Sequence, residues 1–262
     1  MTKYSVRKFP QTRIATIDIC EIGKQKHHVT ALIEMDVTKC RELIRLRNKE
    51  KGSKISFTAW LIKVIGSTIK KHDTISSFLK GKSKLMIFED INISLVVEKE
   101  MNGQKVPIPL IIEKANEKSV EAIGLQISEA RNEKFSGTEV VLQKKNGSLE
   151  KIYYRLPGFI RKLFWKYMLK HPKLSFKKMG NVAFTSIGMM GKVNGWFIPI
   201  SIHPICFGIG SIIKKPVVIE NEIEIREMLQ MSVLIDHDVI DGAPMARFIS
   251  DLTSNIENGI LL

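Results

Sequence analysis

The order of apolar and polar residues divides the 262-residue chain into short elements of two periods. Residues 29–37, VTALIEMDV, alternate as a half-buried strand does, because successive strand side chains point to opposite faces. Residues 36–47 read as a helix. From Ser56 onward, Phe57, Trp60, Leu61, Val64, Ile65 and Thr68 recur three and four residues apart, the stripe of a helix that packs a core. Residues 84–89 and 91–98 read as strands. MNGQ, 101–104, is a turn built on an Asn-Gly pair, which favours the positive φ angles of a tight hairpin. Residues 106–112 form the next predicted strand. It can hold Pro107 and Pro109 only at a sheet edge or where it is irregular, since proline donates no ladder hydrogen bond. A helix over 119–131 turns Val120, Ile123, Ile127 and Ala130 inward, and the polar stretch 136–148 reads as loop.

Farther on, 181–185 and 206–213 read as strands around a Gly- and Met-rich loop. A last strand, 227–235, runs into LIDHDVIDGAP, and a helix over 242–256 closes the chain. Strands and helices alternate throughout, with no internal repeat, low-complexity tract or linker. The expectation is a single α/β domain over 1–262: a two-layer sandwich of a mixed sheet with packed helices.

Charge adds one feature to this picture. The formal net charge is +14, and residues 151–180 carry nine Lys/Arg with no Asp or Glu. Within that basic segment, at about 136–180, Phe159, Ile160, Leu163, Phe164, Tyr167 and Met168 form an apolar stripe. Pro157-Gly158 starts the predicted helix and Pro172 stops it. The stripe is expected to pack on the body of the domain and leave its lysines in water. The alternative is contact with a membrane surface or with an acidic carrier protein. A basic chain also raises nucleic acid as a partner, but no RNP-like aromatic pattern, zinc finger or basic zipper is present, so none is expected.

No apolar run approaches the ~18 residues of a membrane span, and no apolar h-region follows the charged N-terminus. Cys20, Cys40 and Cys206 lie far apart, without CxxC or His/Cys clustering. They read as small hydrophobes in a reducing, cytoplasmic setting, with no structural metal.

The chemistry concentrates in residues 234–244. A strand delivers His237 at its C-terminal end, and Asp241 stands where an aspartate caps a helix whose first turn is Gly-Ala-Pro. By itself the pattern fits a general base and an ordinary strand-to-helix turn alike. Asp236-His237-Asp238-Val239-Ile240-Asp241-Gly242-Ala243, followed by Ala246-Arg247-Phe248, resembles the His-x-x-x-Asp-Gly signature of the 2-oxoacid dehydrogenase acyltransferases and of their relative chloramphenicol acetyltransferase. Three further stretches are similar to that family in the same order: SFTAWLIKVIGSTIKKHDTI, NISLVVEKEMNGQKVPIPLIIEKANEKSVEAI, and FTSIGMMG with WFIPISIHPICFGIG.

The resemblance implies a chloramphenicol-acetyltransferase-like fold and a homotrimer, alone or within a larger assembly of trimers, with sites between subunits. It implies acyl transfer between coenzyme A and a thiol, dihydrolipoyl-like, or another small acceptor, with no covalent acyl-enzyme. His237 would be the general base, and Asp241 would hold the loop, with Arg13 as candidate ion-pair partner. A strand hydroxyl would donate to the oxyanion. Alignment on Gly188 favours Thr185, with Ser186 the alternative, and strand alternation lets only one of them face the cleft. His27-His28 reads as an exposed turn, and His203 falls in a stretch the family uses at subunit contacts.

The chain departs from the pattern at Asp238, where the dehydrogenase-complex sequences carry Arg. No lipoyl or subunit-binding domain precedes the core, so a lipoyl group would come from another polypeptide. These departures keep a rival reading open, a trimeric scaffold without turnover.

Overall fold

The computed structural model describes residues 2–10, 12–51, 55–101, 104–132, 152–188, 191 and 193–262. Helix α1 (Thr12–Gly23) leads into strand β1 (His28–Asp36) and helices α2 (Thr38–Lys51) and α3 (Phe57–Lys71). The short pair β2 (Phe78–Lys80) and β3 (Lys84–Met86) precedes the hairpin β4 (Ile93–Met101) and β5 (Gln104–Ile112). Helices α4 (Val120–Asn132), α5 (Gly158–Lys170) and α6 (Pro172–Met179) come before strand β6 (Val182–Ser186). The long hairpin β7 (Ile205–Ile219) and β8 (Glu222–Asp236) then runs into the closing helix α7 (Gly242–Glu257).

The main sheet has six strands in the order β1-β8-β7-β6-β4-β5. β6 is parallel to both neighbours, and the other pairings are antiparallel, so the sheet is mixed. α2, α3, α4 and α7 pack with one sheet face into a single core. Trp60, Leu61, Val64 and Ile65 of α3 meet Phe207 and Met231 of the sheet and Phe248 of α7 there. The stripe read from 56–68 is therefore a core face. Its start is set by Ser56, whose hydroxyl accepts from the amide of Ala59 as an N-cap.

Other expectations meet the structure with physical consequences. β5 ends the sheet order, so its two prolines interrupt no ladder on the open side. Met101 pairs with Gln104 across the Asn-Gly turn, whose two central residues lie outside the described set. The loop expected at 136–148 lies outside it as well.

The strand expected over 84–89 is only Lys84–Met86 and pairs with β2, which periodicity did not reveal. β7 and β8 extend well past the expected 206–213 and 227–235, joined by Glu220 and Asn221 at φ 47 and 69. Two left-handed residues make the tight turn whose twist matches its strands. The basic helix forms as expected, but Pro172 does more than stop it. It is the first residue of α6, where a missing N–H costs nothing.

Candidate active site

β8 is buried from Met228 to Asp236, and the chain emerges into solvent at His237. The backbone on both sides of this exposed residue is held by its neighbours. The carboxylate of Asp236, 1% exposed, lies 2.5 Å from Lys26 Nζ and also accepts from the amide of Asp238 at 3.3 Å. The amide of His237 donates to the carbonyl of His27 at 2.9 Å, and His27 Nδ1 stands 2.9 Å from Asp238 Oδ1. Consecutive residues Lys26 and His27, in the turn before β1, thus grip the residues on both sides of His237. Register makes this contact unavoidable: His28 lies opposite Asp236 in the antiparallel β1–β8 pair, so the turn before β1 must cover the turn after β8.

Below this clamp lies a polar core. His28 Nε2 donates to the carbonyl of His203 at 2.9 Å, and His203 Nε2 donates to the carbonyl of Met179 at 3.0 Å. Burial lowers the pKa of His28 and brings that of His203 down to about 4, because a charged imidazole loses its hydration there. Both rings are therefore fixed neutral donors. Burial likewise pushes the Cys40 and Cys206 thiols up to about 12, so these cysteines are inert and cannot act as nucleophiles.

Asp241 stands at the N-cap of α7 with extended backbone, but its side chain makes no cap hydrogen bond. The chain does not bring Arg13 to it. Arg13 is exposed on α1, and neither side chain forms an ion pair among the described residues.

The hydroxyl candidates stand elsewhere. Strand alternation separates them onto opposite faces of β6. Ser186 shares its face with Phe184 and Ile209 and lines a cavity of about 250 Å³, together with Arg41, Thr58, Gly188 and Ser211. Thr185 lies beside Gly208 on the other face, where segment 197–199 covers the sheet, and it is not among the cavity's lining residues. Arg41 Nη1 is held by Glu227 at 2.7 Å, which fixes a cation at the cavity rim.

The two halves are far apart within one chain. Ser186 pairs with Ile209, which faces Met231, and His237 follows six residues beyond Met231. At ~3.3 Å per residue and ~4.8 Å per strand step, the imidazole and the Ser186 hydroxyl are separated by roughly 20 Å. Proton transfer and oxyanion donation around one carbon need both groups within about 3 Å of substrate atoms.

Sequence reasoning missed Lys26 and the Arg41–Glu227 pair. The first has no signal until β1 and β8 are known to be neighbours. Among the described residues, no three His, Cys, Asp or Glu side chains are grouped to hold a metal ion.

The family model described as 2-oxoacid dehydrogenases acyltransferase (catalytic domain) matches residues 6–141 and 168–262. The chain is similar to the dihydrolipoyllysine-residue acetyltransferase component of the pyruvate dehydrogenase complex of Corynebacterium glutamicum, at 25% identity over 94% of this chain and 32% of that protein. It is also similar to the lipoamide acyltransferase component of the branched-chain alpha-keto acid dehydrogenase complex of Bacillus subtilis, at 25% identity over 88% of this chain and 47% of that one. The chain spans about a third to a half of the length of these curated relatives. Among solved structures, a probable dihydrolipoamide acetyltransferase from Listeria monocytogenes shares the fold, with a TM-score of 0.68 at 21% identity, covering 98% of this chain and 95% of that one.

Proposed function

The chain belongs to the 2-oxoacid dehydrogenase acyltransferase family through its catalytic domain, and from this premise we propose that it transfers an acyl group between coenzyme A and a thiol. The observation that carries the reading is the clamped, solvent-facing His237 at the end of a buried strand, within a segment the family model matches.

In the proposed reaction the free imidazole nitrogen removes the thiol proton as sulfur attacks the thioester carbonyl. A thiol of pKa near ~8.5 is mostly protonated at neutral pH, so a positioned base contributes ~100- to 10,000-fold. The oxyanion of the tetrahedral intermediate accepts a hydrogen bond from the Ser186 hydroxyl, the candidate that lines the cavity. Collapse expels the second thiolate, which takes the proton back from the imidazolium. No acyl-enzyme forms. Thr185 is the alternative donor for a site built on the other sheet face.

Because His237 and Ser186 lie roughly 20 Å apart in one chain, the reading requires a second copy, with His237 of one subunit facing Ser186 of the next. A closed ring of three satisfies such a head-to-tail contact with every site complete. Dihydrolipoamide is the natural test acceptor.

The test is release of coenzyme A from acetyl-, isobutyryl- and succinyl-CoA with dihydrolipoamide, amines and hydroxylated acceptors offered in turn. His237→Ala should lower kcat at least ~100-fold with an unchanged far-UV spectrum. If wild type turns over no acceptor and binds no acyl-CoA, the scaffold reading replaces this one.

A further inference from the structure

α5 is held to the body of the domain in one orientation. Arg161 Nε stands 2.7 Å from Oδ2 of buried Asp18 on α1, and the hydroxyl of Tyr153 donates to the same oxygen at 2.7 Å. The indole N–H of Trp165 donates to that hydroxyl at 2.9 Å. Trp165 and Met168 are buried with Ile22 and Met179 in a small second core. The inward face of the helix is thus Arg161, Trp165 and Met168.

At about 100° per residue, Phe159, Leu163, Tyr167, Ile160 and Phe164 then occupy a continuous sector of roughly 140° beside the buried one. All five are exposed, Phe159 at 72% and Leu163 at 65%. The expectation that this stripe packs inward fails for all but Met168. An ion pair fixes the opposite face to α1 and turns the aromatic residues out.

The surroundings are cationic. Lys166 borders the apolar sector and Lys170 falls within it at its C-terminal end, and Arg155, Lys173, Lys177 and Lys178 lie on the same helical hairpin and its approach. All six are exposed and form no ion pair among the described residues. Residues 142–167, which include most of α5, fall outside the stretches that the family model matches.

We propose that α5 is a peripheral membrane contact that lies on an anionic lipid surface, with Phe159, Leu163 and Tyr167 entering the interfacial layer and the flanking lysines meeting lipid phosphates. A cationic helix with an aromatic outer face and a polar border has the composition of an interfacial helix. Continuous exposed apolar area calls for a cover. A second copy meeting face to face would bring six unpaired cations against six, whereas an acidic protein would match the lysines and leave the aromatic sector wet. No helix among the described residues is long and apolar enough to cross a membrane, so the contact is a surface one.

The full chain should sediment with vesicles of phosphatidylcholine containing one third phosphatidylserine and leave pure phosphatidylcholine vesicles ~10-fold less occupied, with binding weakened ~10-fold on going from 0.1 to 0.5 M salt. The pair Phe159→Ser/Leu163→Ser and the pair Lys166→Glu/Lys170→Glu should each lower partitioning ~10-fold. Both change only exposed side chains, and circular dichroism checks that the fold persists. Absence of binding to the anionic vesicles at low salt overturns the proposal. So does binding that the Lys pair abolishes and the Phe/Leu pair leaves intact, which indicates electrostatic adsorption without entry of the aromatic face. A fall in assembly mass by light scattering in the Phe/Leu variant would assign the face to a second copy and overturn it equally.

Discussion

At the scale of single residues, His237 depends on groups that are distant in sequence. Lys26 and Asp236 are 210 residues apart and form the pair behind the imidazole. Removing one partner of such a pair leaves a carboxylate out of water with no counter-charge. Lys26→Met should therefore cost about 3 kcal/mol in urea unfolding, and Lys26→Arg should recover most of that. Asp238 gains a physical role here as well. Its carboxylate pairs with His27 where the family's dehydrogenase-complex sequences carry a cation, so the charge reversal is met by a local partner. His203 makes the fold sensitive to pH. Its folded pKa of about 4 lies below the unfolded value of ~6.5, so the unfolded chain takes up a proton that the native ring refuses. The stability this neutral ring contributes is complete above pH ~6.5 and is lost as pH falls toward 4. Unfolding at pH 7 and pH 5 should differ by about 2 kcal/mol from this residue, a difference that His203→Gln should remove. The identity of His237 as the singular histidine was legible in the motif, and its clamp was not.

At the scale of elements, β6 carries the proposed oxyanion donor and is tightly constrained at its end. A Cβ on Gly188 would stand 2.1 Å from the carbonyl oxygen of Gly210, so only glycine lets the segment after Ser186 turn against β7. Gly188→Ala should displace Ser186 from the cavity. The expected outcome is a loss of acyl transfer larger than the loss of stability, read by comparing turnover with the melting transition. The elements themselves were largely readable. The 3- and 4-residue stripe gave α3 and its start near Ser56, and the two prolines of β5 pointed to an edge or irregular strand. What periodicity could not give was length and partner. The outer half of the β7–β8 hairpin alternates as Glu222-Ile223-Glu224-Ile225-Arg226, but Val218, Ile223 and Ile225 stay exposed, so its apolar face packs on no core of this chain. The preference for Thr185 over Ser186 rested on alignment alone, for a related reason. Alternation says that they face opposite ways, but only the sheet order and the cavity say which way is which.

At the scale of the whole molecule, a site divided between chains makes a prediction that no single-chain site can satisfy. Two inactive variants, His237→Ala and Ser186→Ala, co-expressed in equal amounts, should regain about a quarter of wild-type turnover. In mixed head-to-tail rings, half of the sites receive an intact His237 and half of those an intact Ser186. A yield of zero from mixed assemblies would place both groups in one chain, and an active Ser186→Ala variant on its own would dispense with the hydroxyl. By itself the sequence determined the family, the core-facing stripe of α3 and the histidine proposed as the base. Each of these is written in local spacing or in a motif whose members are close along the chain. Tertiary structure alone decided that Lys26 and His27 grip the loop of His237, that Ser186 and not Thr185 lines the cavity, and that α5 turns its aromatic face to solvent. These depend on strand register, on sheet order and on one buried ion pair between α1 and α5, contacts that join residues far apart in sequence and leave no local periodicity behind.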